Sequence, residues 1–310
     1  MLDVRRLKVL REVASRGSFS GAADALYLSQ SAVSQQVAAL EREVGMSLLE
    51  RTSQGPRLTD AGRALLVHAE AAIARLEEAE HELAAIAGLE GGELRMASFP
   101  SASVTILTEA LSRFAHNHPK VNLSVTEAEP EQSLQMLKTA DIDVAIVFDY
   151  PLLASPSDRD VEKVPLVTES MHLALPRDHP KAASGRLSLS DFADEAWLCG
   201  VRPSSCGELI VEACRDAGFE PRIAFESEEY QVLQGYVAAG LGVTLLPDMV
   251  LPDLRPDLVV RPTDPEAPKR RVWAAVRAKG ARSAATEAML ETLREVADEF
   301  AATQREQLAA

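Results

Sequence analysis

The sequence predicts an α/β protein built in two parts, a small helical head joined by one long helix to a larger domain of alternating strands and helices. Three observations predict this. Three short helical patterns follow one another within the first sixty residues. Residues 59–87 are rich in Ala, Leu and Glu and hold neither Gly nor Pro after Gly62. From residue 93, short β-type runs alternate with amphipathic helical ones.

The bulk properties agree. A chain of 310 residues fits two or three domains, and 46% hydrophobic with 25% charged residues is ordinary for a globular protein. No eighteen-residue apolar run is present, so no membrane span is expected. The start, Met1-Leu2-Asp3-Val4-Arg5-Arg6, reads as the beginning of a folded domain rather than a signal peptide. Three cysteines, Cys199, Cys206 and Cys214, are too few and too clustered for a disulfide framework, and a reducing cytoplasm is the expected setting. The net charge of −15 argues at first against a nucleic-acid partner. Its distribution answers the objection. Residues 1–60 hold eight basic and seven acidic side chains, so the acidity belongs to the rest of the chain.

In the head, Leu7, Leu10, Val13 and Ala14 form the apolar stripe of a first helix that stops at Gly17. A second helix begins near Ser18 or Ser20, either a suitable N-cap, and carries Ala22, Ala23 and Leu26. Tyr27-Leu28-Ser29 is the turn, with Ser29 the expected cap of a third helix. There Val33, Val37, Leu40 and Val44 step by four, three and four onto one buried face. Ser31, Ser34, Gln35 and Ala38 then face outward. Hydroxyls and amides on such a face suit a DNA major groove, where Gln pairs with adenine in bidentate fashion; a merely solvated face on a three-helix domain has the same composition. The stretch from Leu48 to Thr59, with Gln54-Gly55-Pro56 at its centre, reads as a hairpin, or wing. Arg51 and Arg57 flank that turn, either clamping phosphates or lying idle on the surface.

The run Gly17-Ser18-Phe19-Ser20-Gly21-Ala22-Ala23-Asp24-Ala25-Leu26, then Leu28-Ser29-Gln30-Ser31-Ala32-Val33-Ser34-Gln35-Gln36-Val37, then Leu40-Glu41, Gly45, Leu48-Leu49, Glu50-Arg51 and Leu58-Thr59-Asp60-Ala61-Gly62, closely resembles the winged helix-turn-helix DNA-binding domain of LysR-type transcriptional regulators. The likeness spans nearly all of residues 1–65. It implies base or phosphate contacts from Gln30, Ser31, Ser34 and Gln35, with Arg51 and Arg57 on phosphates at the wing, and Ser29 and Thr59 are placed with them. Many members carry Arg where this chain has Gln35. An amide prefers adenine and a guanidinium guanine, so an altered base preference is expected.

In the connecting helix, Leu66, Ala69, Ile73, Leu76, Glu80, Leu83 and Ala87 form a heptad seam with one imperfect position, Glu80. Pairing with a second copy buries it; packing on the chain's own C-terminal domain is the alternative. A homodimer presents two reading helices to successive major grooves, so the DNA site is expected to have dyad symmetry. The resemblance adds tetramers made of two dimers. Gly88-Leu89-Glu90-Gly91-Gly92 then forms a hinge. No Gly-Lys-Ser/Thr follows, so phosphate binding is not indicated.

Beyond the hinge, Leu94–Ala97, Val121–Thr126, Val144–Phe148, Met171–Leu175, Ile223–Phe225, Val243–Leu246 and Val272–Val276 read as strands. Val104–His116, Glu208–Ala217 and Tyr230–Ala239 read as helices, and mainly parallel sheets are expected. Phe114-Ala115-His116-Asn117-His118-Pro119 and the segment from Val237 to Pro247 resemble the effector-binding domain of the same family, itself similar to periplasmic solute-binding proteins with two subdomains about a cleft. The expected organisation is 1–58 for the head, 59–87 for the linker and dimerisation helix, 88–92 for the hinge and 93–300 for the effector-binding domain. Within that domain subdomain I takes 93–163 and 268–300, subdomain II takes 164–267, and 301–310 is a tail.

Ligands in such folds bind at loops after strand C-termini. The candidate effector contacts are therefore Ser98, Phe99 and Ser101 after the first strand, Phe148 after another, and Arg202, Ser204 and Ser205 before a helix. Arg202 suits an anionic small molecule. Capping or packing serves each of them equally well, and the aromatic content suggests no cage. Cys206 and Cys214 resemble the paired cysteines of the family's peroxide-sensing branch, at a spacing one residue shorter and with no His after the first. Two rival classes fit the sequence less well. An enzyme lacks support: His116-x-His118 has no further ligand at metal spacing, and no nucleophile motif occurs. A pure solute-binding protein has no use for residues 1–60. A transcription regulator, with double-stranded DNA, a small-molecule effector and RNA polymerase as partners, no metal and no cofactor, is the expected function.

Overall fold

The computed structural model describes residues 2–52, 55–86, 92–153, 158–265, 268–278 and 282–309. They divide into two compact units, one up to Ala87 and one from Gly88 onward apart from a short stretch at 280–283. Residues 88–91 of the expected hinge lie outside the described residues. Among those described, no helix is long and apolar enough to cross a membrane.

The first unit runs α1 (Val4–Arg16), α2 (Phe19–Ala25), α3 (Gln30–Val44), β1 (Leu49–Thr52), β2 (Gly55–Leu58) and α4 (Asp60–Ile86). Its first three helices start on side-chain caps, as their short polar N-cap residues dictate. Asp3 accepts from the N–H of Arg5, Ser18 from Gly21 and Ser29 from Ala32. Val33 and Val37 of α3 pack with Ala22 and Ala23 of α2, while Leu40 packs with Leu7 and Leu10 of α1. The wing is antiparallel, Glu50 opposite Arg57. One carboxylate oxygen of Glu41 accepts from the N–H groups of Leu48 at 2.8 Å and Leu49 at 3.2 Å, tying the wing to the end of α3. Gly62 is required where α4 crosses the wing, because a Cβ there would lie 2.1 Å from the Leu48 carbonyl oxygen.

The heptad seam of α4 divides. Ala69 and Ile73 are buried in the head's own core with Leu7, Leu10 and Leu48, so they are not open to a second copy. Leu76 and Leu83, further along, are 48% and 67% exposed. The side chain of Glu80, and Ala87 itself, lie outside the described residues. One helix face thus first closes the head and then continues unburied.

The second unit contains β3 (Gly92–Ser98), the short α5 (Pro100–Ala102) running through a π-helical segment (Ser103–Leu107) into α6 (Thr108–Asn117), β4 (Val121–Glu127), α7 (Pro130–Lys138), β5 (Val144–Asp149) and β6 (Val161–Pro176). It continues with β7 (Ala196–Cys199), α8 (Ser205–Asp216), β8 (Arg222–Glu226), α9 (Tyr230–Ala238), β9 (Thr244–Pro247), β10 (Leu258–Arg261), β11 (Lys269–Arg277) and α10 (Ala284–Ala309). The expectation of mainly parallel sheets is corrected. β3 pairs in parallel with β4 and β5, but β11 pairs antiparallel with β5 and β6, and β6 antiparallel with β9 and β10. The reason is topological: the chain passes between subdomains along β6 and returns along β11, and two such crossings run in opposite directions.

This shared ladder also moves the expected boundary. Residues 161–170 of β6 pair with β11 in the first subdomain's sheet, and only from Met171 does the strand pair with β9. The expected tail is corrected as well, since α10 runs on to Ala309 and buries Gln304. The strands β7 and β10 were not anticipated; each is only four residues long, with little room for a periodic signal.

Candidate functional site

Two sites emerge, one in each unit. In the first, Ser18-capped α2 and Ser29-capped α3 meet at Tyr27, and the outer face of α3 carries Ser31 and Gln35 exposed and Ser34 half-buried. Gln30 is exposed at the first position of α3. Ser29 has its oxygen on the Ala32 N–H and lies 3.0 Å from the Ser31 hydroxyl. Arg57 is exposed on the wing, and the side chain of Arg51 lies outside the described residues. Thr59 is engaged within the fold: its hydroxyl donates to the Ser47 carbonyl at 2.8 Å and accepts from the Gly62 N–H at 3.0 Å.

Tyr27 is a residue the sequence reading passed over as mere turn. It is 97% exposed and holds φ at +54°, a left-handed conformation costly for a bulky side chain. Tyr27→Asn should raise the head's stability by about 0.5–1 kcal/mol. A contact of the Tyr27 phenol with phosphate predicts that the same substitution weakens DNA binding on all sequences alike. Chemical denaturation and a DNA titration check both.

In the second unit, loops after β3, β5 and β8 face one another beside the β6–β11 ladder. At its centre is Arg270, 1% exposed. Its guanidinium donates to Glu169 at 2.6 Å and to the Ser101 hydroxyl at 3.1 Å, and is flanked by the rings of Phe99 and Phe148 at 5.1 and 5.2 Å. Those rings meet edge to face at 4.8 Å. The second oxygen of Glu169 accepts from the Met249 N–H, and beside it Asp248 accepts from the Ser170 N–H and lies 2.5 Å from His172. Burial pushes the Glu169 carboxyl up from its ordinary range, opposed by the charge of Arg270.

Next to this network a small cavity of about 20 Å³ is lined by Tyr150, Met171, Cys206, Ser227, Glu228 and Tyr230, among others. Tyr150, at the end of β5, places its hydroxyl 3.5 Å from the Cys206 sulfur on α8 and so spans the two subdomains. Glu129, the residue before α7, has its carboxyl raised to about 7, first by burial and then by the charges of Glu228 and Glu131.

Several expected effector contacts are placed differently. Ser98 is fully buried and donates to the neighbouring Phe99 carbonyl. Ser101 is engaged by Arg270. Arg202, an exposed side chain, is paired with Glu226 at 2.8 Å. Ser204 caps α8 by accepting from the Gly207 N–H, and Ser205 is half-buried on a groove with Pro203 and Glu208. Phe99 and Phe148 are buried against Arg270, and with Tyr150 they form an aromatic cluster that composition did not suggest. Glu129, Tyr150, Glu169, Glu228, Tyr230 and Arg270 were missed. The loop rule reaches Glu129 and Glu228, which follow strands; nothing local marks Glu169 and Arg270.

Residues 4–63 match the family model described as a bacterial regulatory helix-turn-helix protein of the lysR family, and residues 87–298 match that of the LysR substrate binding domain. The chain belongs to the LysR family of transcriptional regulators. Curated relatives of this LysR-type regulator are themselves regulators. They include the probable HTH-type transcriptional regulator LrrA of Synechococcus elongatus, 30% identical over 97% of this chain and 100% of the relative. The DNA-binding transcriptional dual regulator OxyR of Escherichia coli is 31% identical over 82% of each. Among solved structures, a full-length OxyR from Pseudomonas aeruginosa shares the fold at a TM-score of 0.72 and 23% identity over 95% of both chains. Full-length CbnR with its target DNA matches at 0.63 and 25% identity, over 95% of this chain and all of the other.

Some relatives of this LysR-type regulator carry the name hydrogen peroxide-inducible genes activator. Its own thiols are poorly suited to peroxide. Burial pushes Cys199 and Cys206 up to about 11 and Cys214 up to about 12. The reacting species is the thiolate, roughly one part in ten thousand at pH 7 for such a thiol. A titration of the reduced protein with micromolar peroxide should leave its DNA affinity unchanged.

Proposed function

We propose that this LysR-type regulator reads a dyad-symmetric DNA site as a homodimer or homotetramer in the cytoplasm, and that a small molecule bound between the two effector subdomains sets its activity. The observation that carries the reading is that the chain has both an exposed Ser/Gln face on α3 and a second unit whose two subdomains are joined along the β6–β11 crossing. The reading face uses Gln30, Ser31, Ser34 and Gln35, with Arg57 and Arg51 on phosphates and Ser29 presenting the helix. Leu76 and Leu83 offer α4 to a second copy. In the cleft, Ser101, Phe99 and Phe148 act through Arg270, and Tyr150, Cys206 and Ser205 meet across the mouth. A ligand that prefers one degree of closure shifts the population toward it and changes how two dimers sit on DNA, and with that their contact with RNA polymerase.

The test is selection of genomic DNA fragments by the purified protein at two salt concentrations. A dyad-symmetric site whose enrichment weakens as salt rises supports the reading; no enrichment at either salt counts against it. The effector half is tested by repeating the selection with a panel of small molecules on the wild type and on Ser227→Trp, which overfills the small cavity beside Tyr150. A compound acting equally on both proteins places the effector elsewhere.

A further inference from the structure

The cavity of about 20 Å³ beside Tyr150 has room for little more than one water molecule. A larger ligand needs another place, and the mouth of the cleft supplies one. There a groove of about 1220 Å³ is lined from α7, β5, β6 and β11 on one side and by Pro203, Ser205 and Glu208 on the other. Small-molecule pockets commonly measure about 300–1,000 Å³, so a ring-bearing molecule fits. Leu134, Leu152, Leu153 and Val161 give the groove its apolar lining.

The floor of this groove carries a guanidinium held in place but not used up. Arg271 of β11 lies directly across the ladder from Asp149 of β5. Its Nε donates to Asp149 at 2.7 Å, and its Cζ lies over the Trp273 ring, 5.5 Å from the centroid. Among the described residues, neither terminal nitrogen of Arg271 makes a hydrogen bond, and the side chain is 40% exposed along the groove. From β6, Lys163 reaches the same carboxylate at 3.3 Å and the same ring at 6.0 Å. Asp149 is 11% exposed, so one nearly buried carboxylate orients two cations and leaves positive charge in excess.

The acidic side chains around the groove have other work. Asp158 is held by Lys138 at 2.5 Å and Glu212 by Arg215 at 2.6 Å. Glu131 and Glu208 stand in the first turns of α7 and α8, where a carboxylate complements the helix end. We infer that the groove binds a small organic carboxylate with an apolar body, its two oxygens on the terminal nitrogens of Arg271 and its charge shared with Lys163. The planar fork of a guanidinium matches the two oxygens of a carboxylate. This rests on the effector reading above and moves the ligand's charge from Arg202, where the sequence had suggested it, to Arg271. A body lying between Leu134 of one subdomain and Pro203 of the other makes affinity depend on closure, as regulation requires.

A plainer role for Arg271 is a cross-strand ion pair that ties β11 to β5. That role employs Nε alone and gives the terminal nitrogens no task. It also predicts that loss of Arg271 changes basal stability without changing the response to any ligand, which separates the two accounts.

The experiment titrates the full chain with benzoate, phenylacetate and cyclohexanecarboxylate, and with benzamide and benzylamine, at matched ionic strength. Thermal midpoints are read from the fluorescence of the two tryptophans, Trp197 and Trp273, both in the second unit. At least one acid should raise the midpoint saturably, and neither the amide nor the amine should. Arg271→Gln should weaken that acid's apparent affinity about tenfold or more, and Arg271→Lys, which keeps the charge without the fork, should recover only part of the loss. Lys163→Gln should give a smaller loss and decides the matter should Arg271→Gln fold poorly. Benzamide acting as strongly as the acids, an acid response unchanged in the variants, or no response to any acid overturns the inference. The effector reading is judged separately, by DNA selection in the presence of the same compounds. An acid that binds through Arg271 yet leaves the selection unchanged keeps the site and removes its regulatory role. An amide or amine that shifts the selection, with no acid binding, keeps the effector reading and removes the carboxylate.

Discussion

Arg270→Leu should destabilise the effector-binding unit by about 3–5 kcal/mol, the cost of leaving a buried carboxylate without its partner. Glu169 is 2% exposed and can neither reach water nor turn away, because its other oxygen is fixed to the Met249 N–H. The loss also removes the donor to Ser101 and the cation between Phe99 and Phe148. For a unit of this size the thermal midpoint should fall by roughly 10 °C, read from Trp197 and Trp273. Replacing both partners, Arg270→Leu with Glu169→Leu, should recover most of the deficit, since two apolar side chains leave no charge to desolvate. A double variant as unstable as the single one would mean that the contact with Ser101, not the ion pair, holds the cleft.

The pH dependence of the single variant has a definite sign. Burial raises the Glu169 carboxyl in the folded protein, and removing Arg270 removes the charge that opposes it. A carboxyl whose folded pKa lies above its unfolded value binds more protons when folded, so its contribution to stability falls as pH rises through that window. The deficit of Arg270→Leu against the wild type should therefore be largest near pH 8 and narrow toward pH 5. A deficit independent of pH would show that Glu169 finds another partner.

That network was invisible in the sequence for a physical reason. Glu169 and Arg270 lie 101 residues apart and become neighbours only because β6 and β11 run antiparallel between the subdomains. Local periodicity reports which face of an element is buried, not which element it meets. It located Val33, Val37 and Leu40 without error because helix 3.6-fold spacing fixes their common face wherever they pack. It could not say that Ala69 and Ile73 close the head while Leu76 and Leu83 stay exposed, because a seam facing α1 and a seam facing another chain have the same spacing. Nor does residue type separate a ligand contact from a cap. The hydroxyls of Thr59 and Ser204 look like binding groups in the sequence and are satisfied by Gly62 and Gly207 in the fold.

The reading helix gives the other large effect. Gln35→Arg should move the base preference of the half-site at one position from adenine toward guanine, with about 1–3 kcal/mol of discrimination changing sign. Gln35 is exposed on the face opposite Val33, Val37 and Leu40, so the substitution leaves the packing of α3 untouched and the head should fold as before. An amide matches the donor–acceptor pair on the adenine edge, whereas a guanidinium offers two donors to the two acceptors of guanine. The added positive charge also brings a general gain in affinity that diminishes with salt. The two effects separate cleanly when selected sequences are compared at low and high salt. The general gain fades as salt rises, while the change of preferred base persists. A gain that vanishes at high salt with no change of preferred base would place Gln35 against phosphate, and base reading would then fall to Gln30, Ser31 and Ser34.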